Sequence, residues 1–161
     1  MRILGIDPGL NVTGYGIIDV AGSRLLPVTY GHVRTSSATG LPERLLKIHE
    51  AITSLLAEFR PDDVAVENIF YADNVKTAIV MGHARGAILV AAKTAGADVY
   101  EYSPREVKMS VVGNGAASKS QVKFMVARLL SIKETITPDD ASDALAVALC
   151  RWHRQKLNLR G

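Results

Sequence analysis

The chain has 161 residues, of which 48% are hydrophobic and 22% charged, with a formal net charge of +3. That size suits one domain spanning 1–161 with a full core, and the composition excludes a disordered chain. No apolar run approaches the length of a bilayer span, and the N-terminus runs straight into a strand-like segment, so neither a membrane anchor nor a secretory signal is expected.

Residues 2–7 read as a continuously apolar strand, of the kind buried on both faces at a sheet centre. Asp7-Pro8-Gly9 breaks it. Asn11 to Val20 and Arg24 to Val33 are two further strands, and Ala21-Gly22-Ser23 between them signals a hairpin. Pro42 opens a helix with Leu45, Ile48, Ile52, Leu55 and Leu56 on one stripe, which stops near Arg60-Pro61. Asp63 to Glu67 is a short strand. Asn74 to Ala95 is a long helix ending at Gly96.

That helix is apolar or small nearly all round. Val75, Ile79, Gly82, Gly86 and Leu89 form one stripe, and Val80, Ala84, Ala87, Ala91 and Ala95 another. One stripe should face the sheet. The other calls for a second copy of the chain, with Gly82 and Gly86 permitting close approach, so a homodimer is expected.

Ala97 to Tyr102 is the next strand, and Pro104 starts a short helix. After Gly113-Asn114-Gly115, Ser118 and Gln121 have capping-box spacing for a helix to about Leu130. The last helix starts at Thr137-Pro138, with proline at its first position, and runs to about His153. Cys150 lies on its apolar pattern and reads as a buried, reduced thiol, which fits a cytoplasmic location. Three antiparallel strands followed by strands joined through helices give an α/β fold, a mixed five-stranded sheet flanked by helices.

Charge is unevenly spread. Met1 to Ser103 carries 9 basic and 11 acidic residues, whereas Pro104 to Gly161 carries 10 basic and 5 acidic. A basic second half suits a polyanion such as nucleic acid, although a solvated basic surface has the same signature.

Four acids stand out. Asp7 and Glu67 end apolar runs, where a carboxylate is costly to desolvate without a partner or a cation. Asp140 and Asp143 lie one turn apart near the start of the last helix and share a face. Each has an ordinary explanation. Asp7 can make an Asx turn, Glu67 can sit solvated at a rim, and Asp139 and Asp140 suit the positive end of a helix. The capping account does not reach Asp143. Together, two strand-end acids and an i, i+3 pair supply the oxygen ligands that Mg²⁺ prefers, for two ions flanking a phosphate. The order of first strand, fourth strand and last helix matches the ribonuclease-H-like fold.

Leu4-Gly5-Ile6-Asp7-Pro8-Gly9 followed by Val12-Thr13-Gly14-Tyr15-Gly16 resembles the start of the RuvC family of bacterial Holliday-junction resolvases. Val66-Glu67-Asn68-Ile69-Phe70, Ala84-Arg85-Gly86, Lys119-Ser120-Gln121-Val122 and Asp140-Ala141-Ser142-Asp143-Ala144-Leu145-Ala146 extend the likeness along nearly the whole chain. The resemblance implies a homodimeric nuclease that uses two Mg²⁺ per subunit, with Mn²⁺ as a substitute. It would nick four-way DNA junctions in partnership with the RuvAB branch-migration motor. It also implies that Asp7, Glu67, Asp140 and Asp143 are catalytic metal ligands, that Phe70 enters the junction, and that Lys108 and Lys119 lie near the active-site phosphates. The DNA-binding set is completed by Arg85 and Lys123. The rivals are a ribonuclease H or transposase-like nuclease, an actin-like ATPase (for which this chain is too short), and an inactive DNA-binding module.

Overall fold

The computed structural model describes residues 1–68 and 74–158. Five strands form one sheet in the order β3-β2-β1-β4-β5. β1 (Arg2–Asp7), β2 (Val12–Ala21) and β3 (Arg24–Arg34) run as an antiparallel meander. β4 (Asp63–Glu67) and β5 (Asp98–Tyr102) continue the sheet in parallel with β1. The helices are α1 (Leu41–Phe59), α2 (Val75–Thr94), α3 (Pro104–Val112), α4 (Lys119–Leu129) and α5 (Asp139–Asn158). This is the ribonuclease-H-like arrangement that the element order predicts.

Alternation along the central strands sorts the core into two halves. Leu4, Ile6, Val64 and Val66 pack beneath α1 and α2, with Ile48, Ile52, Ala84 and Ile88. Ile3 and Ala65 point the other way and join the apolar faces of α3, α4 and α5, including Val107, Val126, Leu145 and Leu149. The result is three layers, with the sheet in the middle. Pro42 at the helix start and Arg60 in a left-handed C-cap bound α1. Asn74 caps α2 through its side chain, and Ser103 and Ser118 each make a full capping box, the second as expected.

α5 lies closest to the sheet because glycines let it in. A Cβ on Gly14 would collide with the Asp140 carbonyl oxygen, and one on Gly5 would come within 2.7 Å of the Ala148 nitrogen. α5 also departs from expectation at its ends. It begins at Asp139 rather than with Pro138 inside it, so Asp139 and Asp140 are its first two residues. The Pro138 carbonyl accepts the Ala141 N–H at 3.1 Å and closes the first turn. Its far end runs past His153 to Asn158, beyond the apolar stripe, with Lys156 favourably placed in the last turn.

In α2, Lys76, Arg85 and Lys93 interrupt the apolar run. By length and composition the helix is long and apolar enough to cross a membrane. No unbroken hydrophobic run gave this away, because alanines and glycines supply much of its apolar character. Ala84 and Ala91 of its second stripe pack inward beside Ile88, while Val75 and Ile79 of the first, and Val90 near them, are 76%, 55% and 59% exposed. Gly82 and Gly86 face open space among the described residues. At the opposite end of the β2–β3 pair from Gly14, the hairpin turns at Gly22, in a left-handed conformation with no described residue close to it.

Candidate active site

Ile6 pairs with Val66 across β1 and β4, so the next residues, Asp7 and Glu67, end neighbouring strands side by side. Their places in the alternation, with Ile3 and Ala65, direct both toward the α5 layer. Asp7 pairs on its other flank with Gly14, the residue on which the Asp140 backbone rests. The missing side chain at Gly14 thus admits the first turn of α5 to the strand ends and delivers its acids there.

Asp7, Glu67 and Asp143 line one cleft of about 200 Å³, with Lys108 from α3 and Lys119 from α4. Burial pushes the Asp7 carboxyl up to about 8, and the negative charges of Glu67, Asp143 and Asp140 add to the effect, with Lys119 opposing it. Glu67 is raised to about 7 by burial and by Asp143, against the pull of Lys119 and Lys108. Asp143 is raised too, chiefly by burial, although the Lys119 ammonium lies 3.7 Å from its carboxylate. These acids are crowded, half-buried and under-compensated, which is the situation a divalent cation relieves. Among the described residues no three His, Cys, Asp or Glu side chains are gathered into a ready-made cage. The donor set nevertheless fits a hard cation, because every donor is a carboxylate oxygen and the cations at hand do not balance the charge.

Asp140 is the outlier of the four. It contributes to the field at Asp7 and Asp143, but its side chain lines a separate groove of about 510 Å³ on the other flank, with Gly9, Asn11, Val12, Lys76 and Thr77. Three of the acids therefore share one cleft, and the fourth lines its neighbour. Lys76 was passed over in the sequence, where its only signal is its position as the second residue of α2, shortly after Glu67.

The basic residues separate in the same way. Lys108 and Lys119 reach the cleft. Lys123, one turn beyond Lys119, is tied to Asp139 at 2.6 Å, and it holds that carboxyl below its ordinary value. Arg85 pairs with Glu101 on β5 and does not line the cleft, and its Nε has no hydrogen-bond partner among the described residues. Phe70 lies outside the described residues. Another pocket, of about 430 Å³ between α3 and the end of α5, is roomier than the acid cleft. Its polar groups already satisfy one another, His153 with Ser110 at 3.0 Å and Arg154 with Glu106 at 2.8 Å. It holds a single acid, so it is not the acid site.

The family model of crossover junction endodeoxyribonuclease RuvC matches residues 3–151. The chain belongs to the RuvC family. The RuvC of Pelobacter propionicus is 51% identical over 157 residues, covering 98% of this chain and 89% of that one. The RuvC of Brevibacillus brevis is 49% identical, covering 92% and 90%. Among solved structures, Thermus thermophilus RuvC in complex with a Holliday-junction substrate matches with a TM-score of 0.94 at 37% identity, over 98% of this chain and 96% of that one. The yeast mitochondrial Holliday-junction resolvase, at 18% identity and a TM-score of 0.69, shares the fold.

Proposed function

We propose that this RuvC-family chain is a structure-selective endonuclease that resolves four-way DNA junctions by paired, symmetric nicks, in recombination and repair within the cytoplasm. One observation carries the reading: three raised carboxylates from β1, β4 and α5 share a cleft with two lysines from separate helices. The match to Thermus thermophilus RuvC bound to its junction supports the choice of substrate.

Asp7, Glu67, Asp140 and Asp143 would hold two Mg²⁺ ions, with Mn²⁺ able to substitute. Bound there, the ions would neutralise charge on the scissile phosphate and activate water for in-line attack. The chain's own residues do the rest. Lys119 and Lys108 draw the phosphodiester over the cleft by charge, reading the backbone and not the bases. The buried floor keeps the carboxylates poorly hydrated, so they compete well for a cation once the pH permits ionisation. Cleavage would leave 5′-phosphate and 3′-hydroxyl ends.

Two nicks on opposing strands require two sites related by a two-fold axis, and the partly covered first stripe of α2 is the face we assign to the second copy. RuvAB would supply the junction. The test is cleavage of a radial four-way DNA by Asp7→Asn protein with Mg²⁺ present. A loss of at least about 10²-fold is expected, with junction binding retained. Cleavage at the parental rate would refute the role of the acids. Preference for an RNA–DNA hybrid would move the chain to a ribonuclease H activity.

A further inference from the structure

Arg151 and Asp63 form a buried ion pair. Arg151 Nε donates to Asp63 Oδ2 at 2.6 Å, and the two side chains are only 10% and 9% exposed. The guanidinium also stacks on the Tyr100 ring, 3.5 Å from its centroid. Arg151 is on α5 and Asp63 opens β4, so the pair joins the two elements that carry Asp140, Asp143 and Glu67.

The spacing within those elements is the telling feature. From Asp63 to Glu67 is four strand steps, about 13 Å at ~3.3 Å each. From Arg151 back to Asp143 is eight helix steps, about 12 Å at ~1.5 Å each. From that shared anchor α5 crosses the sheet obliquely, over Gly5 of β1 to Gly14 of β2, while β4 runs straight to Glu67. Ile3 is level with Asp63, and the Gly5 backbone next along β1 meets α5 at Ala144 and Ala148. The two similar lengths, laid off from the same anchor, carry Glu67 and Asp143 to opposite walls of one cleft, so a shift of α5 along its axis changes their spacing.

We propose that Arg151 and Asp63 are positioning residues that set the register of α5 against β4 and thereby the spacing of Glu67 and Asp143. The rest of that interface is mostly small and aliphatic side chains, with glycine seats on β1 and β2 but none on β4, so against β4 the ion pair is the directional contact. A hydrogen-bonded ion pair capped by an aromatic ring has one register. Its burial costs about as much as its attraction returns, so it contributes geometry more than stability. The inference rests on the proposed role of the acids as cation ligands.

The test replaces the pair by apolar groups of similar volume, Arg151→Met with Asp63→Leu, in the full chain. The thermal midpoint should stay close to the parent's, and junction binding without divalent ions should be unchanged. Mn²⁺ affinity measured by calorimetry and the Mg²⁺ midpoint for cleavage should both weaken by about tenfold. Arg151→Lys, which keeps the charge but not the planar fork, should show the same effect to a smaller degree. A folded variant with parental cation affinity would overturn the proposal. So would the failure of both variants to fold, because the pair would then be a pillar of stability. Asp7→Asn, assayed alongside, separates this from the underlying reading: if it cleaves normally, the acids are not the ligands at all.

Discussion

Burial and three neighbouring carboxylates push the Asp7 carboxyl up to about 8 when no cation is bound. The stability consequence has a definite sign. Its carboxyl ionises at its ordinary 3.8 when the chain is unfolded but near 8 when folded. Its contribution is therefore whole below about pH 4 and is lost as the pH rises toward 8. Glu67 acts in the same sense, with its folded value about 7. Without divalent ions, the thermal midpoint is expected to fall between pH 5 and pH 8, and Mg²⁺ to restore it. Asp7→Asn should flatten that slope and raise the pH 8 midpoint by a few degrees, on the order of 1–2 kcal/mol. Calorimetry across this range in chelator checks both. Lys119 works at the same scale. Its side chain is 81% exposed, so its pair with Asp143 adds little stability, and its use is in drawing phosphate. Lys119→Ala should weaken junction binding and reduce the slope of log affinity against log salt by about one, with no change in the thermal midpoint.

α5 owes its placement to what it rests on. A methyl group at Gly14 would meet the Asp140 carbonyl, which belongs to rigid backbone and not to a side chain that can swing aside. Gly14→Ala should cost about 1–3 kcal/mol by overpacking and lower cleavage by more than that loss of stability explains, because the first turn of α5 must lift away from Asp7. Chemical denaturation and cleavage, measured on the same preparation, separate the two effects. Elements of this kind were legible in the sequence where local chemistry sets them. The Ser118 capping box, the short β4 run and the strand-ending Asp7 all announce themselves over a few residues. Relations between elements were not. That Asp140 turns into a different groove from Asp143 depends on the angle at which α5 crosses the sheet. That Arg85 is spoken for by Glu101 depends on how α2 sits against β5, to which no local pattern points. The start of α5 was misjudged by one residue because Pro138 suits both a helix's first position and the position before it.

At the scale of the whole molecule, α2 sits in the α1 layer with its first stripe only partly covered: Leu89 packs on the core, and Val75 and Ile79 do not. Val75, Ile79 and Val90 together form the apolar exposure expected of a surface that a partner hides. Ile79→Asp should turn a dimer into a folded monomer in sedimentation equilibrium, with a far-ultraviolet spectrum like the parent's, and should convert paired nicks into single ones. A parental sedimentation profile would rule out this face as the contact between two copies. The opposite end of the molecule has other uses. The bend at Gly22 lies beyond the Arg2 end of the strands, roughly 25 Å from Asp7 by strand rise alone, and no described residue lies close to it. A fluorophore or peptide tag grafted at that tip would ride clear of the chemistry, giving single-molecule optics a handle on the chain as it works.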